Sequence, residues 1–554
     1  MQRQTRRRTK GTPQYGQAIR RRTYGVRLPL TQAVPMTTLD SLSPTATATQ
    51  GYWQNPLAPN DTHTHDGPAA GGVDDHADIE GLGDGPEVST LDASDRTPDG
   101  AIGIDGGSNN TTGRTTGSTP DGKPIAIDPL HSDGEVEVTR ERTQAQGYIS
   151  RDQVVFTTGT GDDSVGVTQR DDGTLDVSVN GESYEVRLAE GQELTLRTGA
   201  GNDTIQVAPN VKVNVIVDAG DGNNDINVEG DGDNRITSGD GDDTIRATGA
   251  GRNDIHTTGG TNEIFGGSGV NVIYGGDGSD TIHAGSGTNY IEGGRGNDVI
   301  HGGGEFDIIS AGGGDDVVNV GEGRTTVYAG AGSDTIEGAN AQTTIYSEVS
   351  DIVNAATGAT PTVVNVEIDN TVGDRGVRVQ GSDAFVQRMQ SELDFLRASP
   401  NGQQMMAEFD KAAEAKGNTV TIQELSNEDN GYAQTFSNDA DIVNGRPGAG
   451  GDVTISYNPS FHMDAFPAPS VVLFHEMSHA YNGVNGTFLQ GTYRGEGPDS
   501  GRVPNAERQA VGLETSATPY DFDGSGAITH NPIHLTENGI RRELGLPDRP
   551  SYAL

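Results

Sequence analysis

Two histidines four residues apart, His475 and His479, stand in the run Phe474-His475-Glu476-Met477-Ser478-His479-Ala480. On a helix, positions i and i+4 lie one above the other on one face, so both imidazoles can reach a single Zn²⁺. Glu476 is placed beside them to accept a proton from a water held by that metal. Pro467 and Pro469 favour a helix start just ahead, and Val471, Val472, Leu473 and Phe474 imply that the helix is buried. A catalytic zinc needs a third protein ligand and an open position. The longer H-E-x-x-H-x-x-G-x-x-H pattern fails, because Asn482 and Asn485 stand where it has Gly and His. A glutamate from a following helix is the other common solution. The segment 505–513 reads as helical, and Glu507 in it is the best candidate; Glu514, on nearly the same helical face, is second, with His530 and His534 as further alternatives.

The elements around this motif read as an α+β domain over residues 365–554. Phe385, Met389, Leu393 and Leu396 recur at helical spacing behind Ser382, a residue suited to capping a helix. A second helix is expected over 402–416, with strands near 420–425 and 453–457. A substrate peptide would lie extended along an edge strand, for which 453–457 is the candidate. Asp521, Asp523 and the glycines after them imitate the first half of an EF-hand loop, but Pro532 takes the place of the closing Glu, so a local turn is the better reading.

A different chemistry repeats upstream. Ile264, Ile273, Ile282, Ile291, Ile300, Ile309, Val318, Val327, Ile336 and Ile345 follow one another nine residues apart, and Ile226, Ile236, Ile245 and Ile255 extend the series with steps of nine or ten. Glycine-rich turns precede them, as in Gly275-Gly276-Asp277-Gly278-Ser279-Asp280 and Gly293-Gly294-Arg295-Gly296-Asn297-Asp298. Short strands would stack their aliphatic residue inward while glycines permit the φ > 0 corners. If two nonapeptides make one coil, one edge carries Asp280, Asp298, Asp316 and Asp334, with Asp243 upstream, and the other carries Asn271, Asn289, Asp307, Thr325 and Thr343. The Asp edge is therefore expected to bind Ca²⁺ through carboxylate and carbonyl oxygens, and the Asn/Thr edge to be held by hydrogen bonds.

Composition agrees with this division. The 554 residues include 81 Gly and no Cys, with only 31% apolar and 5% aromatic residues. Without thiolates there are no disulfides, and metals must be held by His, Asp, Glu or backbone oxygen. The net charge is −43, which repels nucleic acid and anionic membranes. Residues 1–39 nevertheless hold nine Lys and Arg and no acid, leaving 28 basic against 80 acidic residues in the remainder. Residues 1–134 read as a disordered basic arm and polar linker, in which His63, His65, Asp66, Asp75 and His76 form an incidental cluster. Residues 135–217 read as a β-rich segment with degenerate repeats and 218–355 as the repeat module. No apolar run is long enough for a transmembrane helix, and the first residues lack the apolar core of a secretory signal peptide.

The nonapeptides resemble the repeat-in-toxin (RTX) family, which implies a parallel β-roll with structural calcium. The run His475 to Ala480, Glu507 to Leu513, Asn531-Pro532, Leu535 to Asn538, Arg549 to Tyr552 and the upstream Val377 to Ser382 resemble the NleD-type (M91) family of effector metallopeptidases. That resemblance implies a zincin-like zinc endopeptidase delivered into host cells through a secretion machinery, one branch of which cleaves host mitogen-activated protein kinases. It implies His475 and His479 as zinc ligands, Glu476 as general base and Glu507 as third ligand. By spacing alone, Arg549 and Tyr552 also resemble the Arg-x-x-Tyr pair of clostridial neurotoxin light chains, which implies oxyanion stabilisation; Arg541 and Tyr520 are alternatives. The expectation is a secreted endopeptidase acting on a protein substrate in a host, carried behind a calcium-binding roll. The alternative is a calcium-binding surface or adhesion protein whose peptidase domain is idle or only self-processing.

Overall fold

The computed structural model describes residues 97, 100–145, 148–425, 431–435, 437, 439–460 and 468–553. The basic arm and the cluster of His63, His65, Asp66, Asp75 and His76 lie outside them.

The nine-residue period becomes an 18-residue coil. Ile264, Ile282, Ile300, Val318 and Ile336 sit opposite one another in consecutive parallel strands. Ile273, Ile291, Ile309, Val327 and Ile345 do the same in the facing sheet. Both rows are fully buried and share one core. The coils run from Glu193–Arg197 to Thr362–Asn365, so the roll extends past 218–355 at both ends. Each corner demands glycine: Gly296 has φ 138° and Gly314 φ 150°, and a Cβ on either would overlap the carbonyl oxygen of the glycine one coil before.

Ordered structure also begins earlier than residue 134. Ile102–Asp105, Thr115–Ser118 and Pro124–Ser132 are strands, and the last pairs antiparallel with Glu137–Ala145, in the sheet that continues into the roll. The buried side of Pro124–Ser132 consists of Ala126, Asp128 and His131 rather than large aliphatics. Asp128 is satisfied there by Arg114 and Arg142. A strand with a polar, ion-paired inner face has the composition of a linker.

The two edges of the roll are built differently. On the Asp edge, each backbone N–H donates to the side chain one coil ahead: Asn262 to Asp280 (2.7 Å), Asp280 to Asp298 (2.8 Å), Asp298 to Asp316 (2.8 Å) and Asp316 to Asp334 (2.9 Å). That occupies one oxygen of each carboxylate. The Oδ2 atoms of Asp243, Asp280, Asp298, Asp316 and Asp334 are buried without a hydrogen-bond partner. A buried, half-satisfied carboxylate among turn carbonyls is a donor set suited to a hard cation such as Ca²⁺. On the other edge, side-chain amides form the ladder, Asn253 to Asn271 (3.1 Å), Asn271 to Asn289 (2.8 Å) and Asn289 to Asp307 (2.7 Å). The Oδ2 of Asp307 is also buried without a partner, so that edge changes character at its carboxylate.

The C-terminal domain is α+β. Its sheet runs Val377–Gln380, Val420–Glu424, Val453–Tyr457, Gly431–Thr435, with the last strand antiparallel. Val453–Tyr457 is therefore interior, and Gly431–Thr435 is the edge strand flanking the metal motif; the short polar run around it gave no strand signal. Helix α1 (Asp383–Ala398) is capped by Ser382, which accepts from the Phe385 N–H at 3.2 Å. It is followed by α2 (Pro400–Lys416), α3 (Pro469–Asn485), α4 (Asn505–Val511) and α5 (Glu537–Glu543). No helix among the described residues is long and apolar enough to cross a membrane.

This domain is seated on the outer face of the roll. Val272, Tyr274, Tyr290, Ile308 and Tyr328 join Phe385, Met389, Phe395 and Leu544 in one apolar cluster. Tyr274 donates to Glu392 of α1 (2.7 Å), and Arg388 of α1 lies over the Tyr274 ring (3.7 Å) and 3.6 Å from Asp254.

Burial pushes the carboxyls of Asp280, Asp298 and Asp334 up to about 7 and that of Asp316, between Asp298 and Asp334, up to about 8. Below the ordinary value of 3.8 these groups are protonated folded and unfolded, and the roll loses nothing. As pH rises the unfolded chain ionises first, so calcium-free stability falls and the loss is complete above about pH 8. Thermal melts followed by circular dichroism should therefore show the calcium-free roll more stable at pH 5 than at pH 8. Added Ca²⁺ should raise the pH 8 transition more than the pH 5 one; a calcium-free roll that gains stability with pH would contradict this.

Candidate metal centre

Every residue of α3 from Pro469 to Val484 is buried, as expected for a helix threaded between the sheet, α2, α4 and α5. Pro469 occupies its first turn and Gly486, at φ 73°, ends it. His475 and His479 project from the same side with ring centroids 4.9 Å apart. Helix α4 delivers Glu507, whose Oε2 lies 3.0 Å from His479 Nε2 and 3.5 Å from His475 Nε2. The ligand atoms of His475, His479 and Glu507 all lie within 4.8 Å of one another, close enough to hold one metal ion.

Glu476 is buried beside this cluster. The amide of Ala433, in the edge strand, donates to its carboxylate, while its Oε2 has no hydrogen-bond partner. Burial pushes its pKa above the usual 4.5, the direction that suits a proton acceptor near neutral pH. Burial alone would lower His475, but Glu507 and Glu537 outweigh it and hold the ring up at about 10. Glu507 is correspondingly depressed to about 2: burial would raise it, but His479 and His475 prevail. The pocket is thus organised to receive positive charge.

A supporting layer fixes this geometry. His475 Nδ1 lies 2.9 Å from Glu537 at the start of α5. Glu537 in turn accepts from Arg549 (3.0 Å) and Arg541 (3.4 Å). Gln509 bridges α4 to α3 and to the following loop, donating to Asn482, Thr487 and Asn531 at 2.9 Å each. Arg508 pairs with Asp499, which also accepts the N–H groups of Tyr552 and Ala553.

The structure sorts the remaining candidates. Glu514 lies beyond the end of α4 at Gly512, is exposed, and faces Thr529 and His530. His530 is 2.6 Å from the Asn531 carbonyl, and His534 faces Asp523 and Glu408. Tyr520 packs edge-on against Phe522. Tyr552 reaches the cluster: its ring is 6.0 Å from that of His475, and burial, with the Glu507 charge nearby, pushes its phenol above the usual range. Arg549 stands one step back, committed to Glu537 and to the Tyr552 carbonyl (2.7 Å), so it supports a ligand's partner rather than facing the cluster. The Asp521 loop closes on itself through bonds from Gly524 and Gly526 to Asp521. Sequence reasoning missed Glu537 as a functional residue: an acid just after a Thr cap looks like an ordinary helix start.

Residues 373–552 match the peptidase family M91 model, described as "Effector protein". Residues 256–291, 292–327 and 321–342 match the RTX calcium-binding nonapeptide repeat. Both resemblances are thereby found in the chain, an effector-peptidase domain behind a calcium-binding repeat module. Searches of curated proteins and of solved structures give no match.

Partners behind a metal-bound histidine typically account for 10–100-fold in metal affinity. Glu537→Gln should weaken Zn²⁺ binding in that range, measured by competition with a chromophoric chelator. Glu514→Gln should leave it unchanged.

Proposed function

We propose that this chain is a zinc-dependent endopeptidase acting on a protein substrate. The observation that carries the reading is the convergence of His475, His479 and Glu507 from two helices, with the half-satisfied carboxylate of Glu476 beside them. Two imidazoles and a carboxylate with an open fourth position are a donor set of catalytic zinc sites, and the ion supplies Lewis acidity there.

The chain's own residues supply the rest. Glu476 takes the proton of the attacking water and returns it to the leaving amine. Ala433 restrains that carboxylate through its amide, which ties the general base to the edge strand. A substrate peptide adds to Gly431–Thr435 in extended form, so that its scissile bond arrives over Glu476. Tyr552, whose ring lies 6.0 Å from that of His475, is the phenol placed to donate to a developing oxyanion. Glu537, backed by Arg549, holds His475 in one tautomer with Nε2 toward the ion.

The match to effector peptidases supports release from the producing cell and a target protein in a host. The calcium-binding repeats are equally at home in a surface or adhesion protein, whose peptidase would serve only to process the chain itself. Purified protein with Zn²⁺ and Ca²⁺, offered a host lysate, should cleave one or a few proteins. Glu476→Gln should keep Zn²⁺ bound and lower cleavage by at least about a hundredfold; full activity in that variant would sink the mechanism, and self-cleavage alone would favour the second reading.

A further inference from the structure

Helix α5 touches two parts of the molecule at once. At its start, Glu537 holds His475 Nδ1 at 2.9 Å. At its end, Glu543 receives Tyr328 Oη from the roll (3.0 Å), Ser399 Oγ and the Asn401 N–H (3.0 Å). The helix has seven residues, so these carboxylates stand roughly 9 Å apart along its axis at 1.5 Å per residue. Two further roll hydroxyls grip the same end, Tyr346 on the Glu543 carbonyl (3.3 Å) and Thr326 on the Leu544 carbonyl (3.1 Å). A helix this short does not hold its shape alone; its position is set by what grips its ends.

The gripping residues belong to coils that carry the Asp edge. Thr326 and Tyr328 lie on Arg324–Tyr328, between the turns of Asp316 and Asp334, and Tyr346 lies on the next strand of that sheet. Tyr328 is fully buried, stacked on Tyr346 (4.7 Å) and edge-on to Phe395 of α1 (4.8 Å). Those tyrosines present a flat seat only when successive coils are in register. Strand pairing and the aliphatic core set the register of those coils, and the ladder of Asp298, Asp316 and Asp334, each with a buried oxygen that lacks a partner, ties their corners together.

We propose that Tyr328, Tyr346 and Thr326 are positioning residues for the metal centre, acting through Glu543 and α5, so that calcium on the roll and zinc on His475, His479 and Glu507 strengthen each other's binding. Ions that fix the coils fix the seat, the seat fixes α5, and α5 presents Glu537 to His475. Linkage makes the effect reciprocal: zinc should tighten calcium by the same factor. The inference rests on the metal-ligand reading of the site, not on proteolysis.

The test uses the full chain, stripped of calcium on a chelating resin because a soluble chelator would also take zinc. Zn²⁺ affinity is measured by chromophoric competition with and without millimolar Ca²⁺, while circular dichroism follows the roll. Calcium should tighten zinc at least about tenfold. Tyr328→Phe keeps the ring packing and removes only the hydroxyl, so it should cut that ratio severalfold and leave the calcium midpoint of the roll nearly in place. A zinc affinity indifferent to calcium overturns the proposal, whether or not the roll itself responds, and an undiminished ratio in Tyr328→Phe overturns the assignment to this contact. If zinc binds under neither condition the ligand reading fails, and hydrogen exchange decides the coupling: protection of Glu537–Glu543 that rises with calcium supports it, and protection independent of calcium refutes it.

Discussion

Every coil of the roll must lay its strands on the preceding coil at hydrogen-bonding distance, about 4.8 Å, and the rest of the structure follows from that stacking. A residue type placed at one point of the coil recurs as a row along the solenoid. Inward rows become the aliphatic core of Ile282, Ile300 and Val318. Corner rows become glycine, because the neighbouring coil's carbonyl fills the space of a side chain. Carboxylates at one corner become a line of buried Asp residues, each bonded to the backbone of its neighbour yet half unsatisfied. Such a line resists ionisation unless cations accompany it, and this chain carries the matching RTX calcium-binding repeats.

The C-terminal domain obeys a different constraint. Its candidate site is assembled from segments far apart in the chain: His475 and His479 from α3, Glu507 from α4, Glu537 from α5 and the Ala433 amide from the edge strand. The polar bridges around Gln509 and Asp499 are buried and fully committed. Buried polar networks of this kind are rigid when complete and costly when broken, which holds His475, His479 and Glu507 in their mutual geometry.

This contrast explains what could be read from the sequence. The roll was legible because its interactions recur at one period, so core, corners and Asp ladder each left a repeating mark. The cluster on α3 was legible because His475, Glu476 and His479 fall within five residues of one helix, and Ser382 because capping is local. The convergence of Glu507 with the two histidines followed from seeking an acid on the next helix. Glu537 was not legible, since its partner lies 62 residues away and its own surroundings resemble any helix start. The edge strand Gly431–Thr435 was lost because its identity comes from pairing with Val453–Tyr457 rather than from its own composition. Residues 100–134 looked like linker because their buried face is ionic.

The seat between the two domains raises a problem peculiar to repeats. A purely apolar helix could dock one coil higher or lower on a solenoid at little cost, because the inward pattern that shapes each coil is nearly the same at every step. The outward rows remove that freedom. Along one of them stand Arg235, Asp254, Val272, Tyr290, Ile308 and Thr326, and along the next His256, Tyr274, Glu292, Ser310, Tyr328 and Tyr346. Only the last step repeats, where Thr326 and Tyr328 are followed by Thr344 and Tyr346. Arg388 meets Asp254, Glu392 meets Tyr274 and Glu543 meets Tyr328; a slip of one coil would set Arg388 against Val272 or Arg235 and Glu392 against Glu292 or His256, stranding buried charges either way. Buried ion pairs and carboxylate–phenol bonds add little net affinity against their desolvation. Their value here is register: they let a repeating scaffold hold a non-repeating domain at one position, which a site built to a few tenths of an ångström requires.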